Sequence, residues 1–287
     1  MMTYTEYKNV AEFLTVVEPY LQRDECVNSL MLGICRRLVA EPGFDGEQPL
    51  LASVTSDGDL HAAALRTPPR KNMHVFAADA DSPCGLDALA SHLHDSGAEV
   101  PAVFAPTPVA RAFAAEWTRV SGTTPRDGTH QRVHRLDSVV HPNFPPGAMR
   151  PATNDDMELV RQWAVGFQQD CFHEPPDAQT YADAEMRVAT GTLFFWDDGE
   201  PRAMAARSRP TAHGECISYV YTPPEHRNHG YASAIVARLS QQILDEGKSF
   251  CTLFTDLGNP TSNSIYRKLG YVGVADFLDI TLDGSAS

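Results

Sequence analysis

The chain has 287 residues, 43% hydrophobic and 21% charged, which is enough apolar material for a buried core and argues against global disorder. Its length suggests two domains. With 23 basic and 37 acidic residues the net charge is −14, a surface that repels phosphate backbones and anionic lipid and leaves room only for local basic pockets. Nucleic acid is therefore disfavoured, and an amine-bearing small molecule suits the charge better.

No apolar run approaches the roughly 20 residues of a membrane helix. The opening residues MMTYTEYKNV lack a basic stretch followed by an apolar one, so they are not read as a secretory signal. Cys26, Cys35, Cys84, Cys171, Cys216 and Cys251 show no zinc-site spacing, so no metal is expected. They read as reduced thiols of a cytoplasmic protein.

In chain order, the first half predicts a hairpin, strand 50–55 and strand 61–65 around the Asp57-Gly58 turn. Then follow a strand at 73–78, a helix at 86–96, a strand at 102–104 and a helix at 107–120. The segment HPNFPPGAMR at 141–150 holds three prolines and a glycine and reads as a linker. The second half predicts a short strand at 149–152 and helices at 155–167 and 177–190. A second Asp-Gly hairpin joins strand 192–196 to strand 202–207. A strand at 215–221 leads to a helix at 230–246, on which Ala232, Ile235, Val236, Leu239, Ile243 and Leu244 form one apolar stripe. A strand at 251–255, a helix at 260–269 and strands at 271–274 and 277–282 complete the chain. DGDLHAAALR at 57–66 and DGEPRAMAAR at 198–207, each followed by the same order of elements, indicate an internal duplication. Each half is expected to be a mixed α/β domain with βα units.

The chemistry concentrates in VYTPPEHRNHGYA at 220–232. A strand runs through a Pro-rich turn directly into a helix. Gly230 has no side chain to hold an anion off the backbone, and no residue there is a strong helix cap. The first helical N–H groups and the helix dipole are left for an anion, with Arg227 as an added cation, so the segment reads as a diphosphate cradle. Further on, Asn259, Ser262 and Tyr266 share one helical face, and Gly270-Tyr271 stops that helix.

Taken together these motifs resemble the GNAT superfamily of acetyl-CoA-dependent N-acyltransferases. Arg227, Gly230 and Ala232 meet its [Arg/Gln]-x-x-Gly-x-[Gly/Ala] motif, and Asn259, Ser262, Tyr266, Gly270 and Tyr271 meet its later motif. The resemblance covers about residues 148–282; the whole chain is similar to two-domain acetyltransferases whose N-terminal half is a degenerate copy. Asn228 stands where many members have glycine, and His229 where they have a smaller or basic residue. The resemblance implies tandem domains, 1–140 and 149–287 with a linker at 141–148, each with a mixed, mostly antiparallel central sheet flanked by helices. It implies acetyl-CoA as co-substrate, held by backbone groups of Val220, Tyr221 and Thr222 and by Arg227, Asn228, His229, Gly230, Tyr231, Ala232, Ser233, Asn259 and Ser262. Tyr266 is the expected acid for the departing thiolate, since a phenol has a suitable pKa of about 10. Glu215 lies on the strand that often supplies the base; His173 and Glu174 are weaker candidates. The first half has no Arg-x-x-Gly-x-Ala, so no second cofactor is expected. The implied function is acetyl transfer from acetyl-CoA to a primary amine of a small molecule or peptide, with no nucleic acid or membrane partner and a homodimer compatible with it. Alternatives are a non-catalytic acyl-CoA sensor and a protein lysine or N-terminal acetyltransferase.

Overall fold

A computed structural model describes residues 1–40, 48–68, 72–79, 84–172 and 175–282. In chain order the elements are β1 Thr3–Glu6, α1 Val10–Leu21, α2 Ser29–Ala40, β2 Leu50–Ser56, β3 Asp59–Arg66, β4 Asn72–Ala77, α3 Leu86–Asp95, β5 Ala102–Pro106, α4 Thr107–Ser121, β6 Arg126–Leu136, β7 Ala148–Pro151, α5 Met157–Phe172, α6 Ala178–Ala189, β8 Leu193–Asp197, β9 Pro201–Ser208, β10 Gly214–Tyr221, α7 Tyr231–Asp245, β11 Phe250–Asp256, α8 Pro260–Lys268 and β12 Val272–Thr281. The sequence reading contains no β1, α1, α2 or β6. The result is the expected mixed α/β class, with mostly antiparallel strands and helices on the sheet faces.

The chain forms two compact units that do not follow chain order. The first comprises Met1–Val133, residues 255–259 and the chain from Gly273; the second comprises His134–Phe254 and Pro260–Val272. The sequence assigned residues 149–287 to one domain and expected two strands after residue 270. Instead one long strand, β12, pairs antiparallel with β5, from Phe277 opposite Pro106 to Thr281 opposite Ala102. It places Leu278, Ile280 and Leu282 in the first unit's core. Alternation in a strand says which side chains are buried but not which sheet edge receives them. The expected linker is also ordered within the second unit: Phe144 stacks on Trp196 at 5.9 Å and the Trp196 indole donates to the Pro146 carbonyl at 2.9 Å.

In the first unit β2 and β3 pair from Leu50–Arg66 to Ser56–Asp59, and Asp57 and Gly58 both have positive φ, +55° and +91°, the pattern of a two-residue hairpin whose twist matches its strands. One sheet face packs α3 and α4 through Leu89, Leu93, Phe113 and Trp117. The other packs α1 and α2 through Phe13, Val17, Leu21 and Leu32. Phe13, Val17 and Leu21 recur every fourth residue, so one helical stripe is buried.

In the second unit the strands run β11-β10-β9-β8-β7. Ile235, Val236, Leu239 and Ile243 of the expected α7 stripe are buried, while Ala232 and Leu244 are half-buried. The other sheet face packs α5 and α6 through Val160, Trp163, Ala184 and Val188 against Phe195, Met204 and Tyr219. β10 and β11 are parallel, but only from Gly214–Phe250 to Cys216–Thr252. Beyond that point they part. On its other edge β10 shifts register against β9 between Ser218 and Tyr221, and Tyr219 sits in the left-handed region at φ +59°. A non-glycine residue there marks a bulge that re-aims the strand.

Candidate functional site

α7 begins directly past this splay. Gly230 is its N-cap at φ +84°, no side chain caps the helix and its first turn holds no acid. A Cβ built on Gly230 would meet nothing within 4 Å. The first-turn N–H groups of Tyr231, Ala232 and Ser233 are thus left for an anion together with the helix dipole. Asn228 has φ +65°, a conformation that favours glycine and, next to it, asparagine. That is why asparagine can replace the glycine common in the resembling family. The His229 Nδ1–H donates to the Arg227 carbonyl at 2.7 Å, and its ring stacks on Tyr231 at 5.8 Å.

Arg227 is not a free cation. Its guanidinium pairs with Asp170 on α5, and its Nε donates to the Thr222 carbonyl at 3.0 Å. The same helix approaches Tyr221 closely at Gly166, where a Cβ would fall 2.2 Å from the phenol oxygen. Burial, then the charge of Asp170, raises the Tyr221 pKa. Gly166 and Asp170 are one helical turn apart, so one stripe of α5 braces the whole turn from Tyr221 to Arg227. Sequence reading missed both residues; their i, i+4 spacing is a signal only once Arg227 is known to lie opposite.

Tyr266 lies on α8 and is buried, 8% exposed. Its ring meets Tyr271 edge-on at 5.9 Å, and the Tyr271 hydroxyl pairs with Ser240 of α7 at 2.8 Å. Burial raises the Tyr266 pKa, followed by the influence of Cys171 and Cys216. The phenol is therefore held protonated at neutral pH, the form a proton donor needs. It packs in the same core cluster as Tyr231, Ile235 and Leu239 of α7.

Glu215 is placed elsewhere. It lies in the paired segment of β10, opposite Cys251, and is 6% exposed. Arg207 grips both its oxygens, at 2.8 and 2.6 Å, and also pairs with Glu246 at 2.7 Å. Glu246 caps the C-terminal end of α7, about 22 Å along the helix from the cradle at the other end. A carboxylate held by a bidentate arginine at that distance suits an ion pair and not proton abstraction. His173 and Glu174 lie outside the described residues. Val220, Tyr221, Thr222, Arg227 to Ser233, Ser262 and Tyr266 all belong to the second unit, where Val220, Tyr231 and Tyr266 share one core cluster. Asn259 belongs to the segment 255–259 that groups with the first unit.

The first unit repeats this plan with a different outcome. β4 and β5 are parallel only from Asn72–Ala102 to His74–Phe104, and α3 starts on Gly85, also at φ +84°. Here an added Cβ would meet His61 Cβ at 3.1 Å and Val54 Cγ1 at 3.2 Å. The space open at Gly230 is filled. Beside the parted strands lies a cavity of about 190 Å³ lined by Tyr20, Arg23, Asn28, Phe76, Pro106 and others. Among the described residues no group of three or more His, Cys, Asp or Glu side chains could hold a metal, and no helix is long and apolar enough to cross a membrane.

Residues 196–276 match the family model described as FR47-like protein. A comparison with curated proteins finds no match. Among solved structures, a tandem GNAT protein from the clavulanic acid biosynthesis pathway, determined without AcCoA, is 14% identical and superposes at a TM-score of 0.62 over 100% of both chains. A GCN5-related N-acetyltransferase from Sphaerobacter thermophilus is 15% identical at a TM-score of 0.63, over 99% of this chain and 98% of that one. A GNAT-family acetyltransferase from Colwellia psychrerythraea is 11% identical at 0.61, over 98% of this chain and 100% of that one. Sharing its sheet-and-helix plan from end to end with a tandem member, and bearing an FR47-like segment in its second half, this chain has the fold of the GNAT acetyltransferases.

Proposed function

We propose that the chain is an N-acetyltransferase that takes its acetyl group from acetyl-CoA and passes it to a primary amine of a small molecule or peptide. The observation that carries this reading is the open, uncapped Gly230 end of α7 beside the point where β10 and β11 part. Residues 230–233 and Arg227 would hold the diphosphate, and the backbone of 220–222, where β10 no longer pairs with β11, would hold the pantetheine arm. Bound there, acetyl-CoA supplies an activated thioester, whose acyl carbon forms a bond to the amine nitrogen as the carbon–sulfur bond breaks. Tyr266 gives its hydroxyl proton to the sulfur. The proton lost by the amine passes to water, since Glu215 is engaged by Arg207.

That engagement also favours a second reading, a non-catalytic acyl-CoA sensor without a protein base. Calorimetric titration with acetyl-CoA, followed by thiol release across an amine panel, separates the two. Binding with turnover supports the enzyme, binding without turnover supports the sensor, and no binding rejects both.

A further inference from the structure

Two half-buried arginines in the second unit bury their Nε without an ion pair. Arg187 on α6 lies with its guanidinium 4.8 Å over the Tyr219 ring. Arg209, just past β9, places a terminal nitrogen 2.8 Å from the Cys216 sulfur and stacks 6.0 Å from the Phe254 ring. The Nε of each is buried with no hydrogen-bond partner. Arg66 and Arg202 also bury Nε, but they pair with Glu99 and Glu200. Among the described residues neither Arg187 nor Arg209 has a carboxylate in ion-pair range. Asp183, one turn before Arg187 on α6, acts on it only at longer range, and burial with the charge of Arg209 lowers the Arg187 pKa.

A guanidinium nitrogen buried without an acceptor is costly, and a ligand carboxylate can supply that acceptor. The surroundings fit a ligand. The Tyr219 hydroxyl is buried and unpartnered and belongs to the bulge of β10. Cys216, which Arg209 touches, lies on the same strand as Tyr219. The arginines therefore stand on the α5 and α6 face of the strand whose other end feeds the cradle.

We propose that Arg187 and Arg209, with the Tyr219 hydroxyl, recognise a carboxylate on the acceptor, so that the amine acetylated here is a small carboxylate-bearing amine such as an amino acid. This rests on the acetyltransferase reading above. A planar guanidinium fork matches a carboxylate bidentately and would set its orientation. It also makes a local positive site in a chain of net charge −14.

The test needs no turnover. N-acetylated amino acids and their carboxamides are titrated calorimetrically into the full chain, with and without CoA. The carboxylate member of each pair should bind at least about tenfold tighter. Arg187→Met and Arg209→Met should each bring the pair within about twofold and leave the CoA affinity unchanged, with melting curves confirming the fold. Arg187→Lys should fall between. N-acetylated peptides with a free C-terminus form a second arm; tighter binding of these than of single amino acids would move the acceptor to a peptide end and overturn the small-amine assignment. Equal binding of acid and amide, no binding of either, or unchanged discrimination in both methionine variants would overturn the proposal. Loss of CoA binding with carboxylate selectivity retained would instead defeat the acetyltransferase reading and leave the anion site standing.

Discussion

Gly85 and Gly230 open α3 and α7 at the same φ of +84°, and they differ in what lies over them. Val54 and His61 close the space at Gly85, whereas nothing lies within 4 Å of a Cβ at Gly230. The two units share this helix start, and the space beside it is open in one and filled in the other.

Gly230→Asp places a carboxylate in that room. The backbone strain is small for aspartate in a left-handed conformation, so the fold should persist. Acetyl-CoA affinity should fall at least about tenfold, roughly 1.4 kcal/mol. Calorimetry with unchanged affinity would remove the cradle from residues 227–233.

If Gly230 marks the cofactor cradle, the filled space at Gly85 predicts one CoA per chain. Titration to saturation should give a stoichiometry of one, and Gly230→Asp should abolish or weaken that single event. Two equivalent sites would contradict the closed first unit.

Tyr266→Phe keeps the ring that packs against Tyr271 and removes the hydroxyl. If the hydroxyl protonates the departing sulfur, kcat should drop by at least roughly tenfold with little change in KM for acetyl-CoA. A normal kcat with slightly altered stability would make Tyr266 a packing residue. A raised KM with normal kcat would make it a cofactor contact.

Arg207→Met leaves Glu215 buried without its partner and should cost about 3 kcal/mol of stability. Adding Glu215→Gln to that variant should restore a large part of the loss, because the uncompensated charge is gone. Denaturant unfolding of both variants and the pair measures this. Glu215→Gln alone should leave kcat within about threefold if the carboxylate is not the base, since loss of general base catalysis typically costs 10²–10⁴-fold.

Asp156 accepts from both terminal nitrogens of Arg150, at 2.8 and 2.9 Å, and that guanidinium chiefly holds its carboxyl down at about 2, below the ordinary range of an aspartate. A depressed folded-state pKa contributes stability that is fully present above the unfolded value and is lost as pH falls through the folded one. Asp156→Asn should therefore destabilise the second unit by about 2 kcal/mol at pH 7. The difference from the native chain should shrink as pH falls below the ordinary carboxylate range and vanish below about pH 2. A difference that does not change with pH would mean that the ion pair is not its source.

The sequence by itself determined what is local. Two Asp-Gly hairpins, the α7 stripe and the Arg227–Ala232 turn are each written within about 17 consecutive residues, where backbone propensity and periodicity act directly. Gly230 was legible because a glycine at an uncapped helix start has an immediate physical meaning. Tertiary structure decided the partners. Glu215 reads as a candidate base until Arg207 and Glu246 are seen to hold it. Arg227 reads as a free cation until α5 brings Asp170 against it. The last strand reads as part of the second half until it pairs with β5. Periodicity reports which face of an element is buried; what it is buried against depends on long-range packing, to which the alternation of residues along a strand or helix is indifferent.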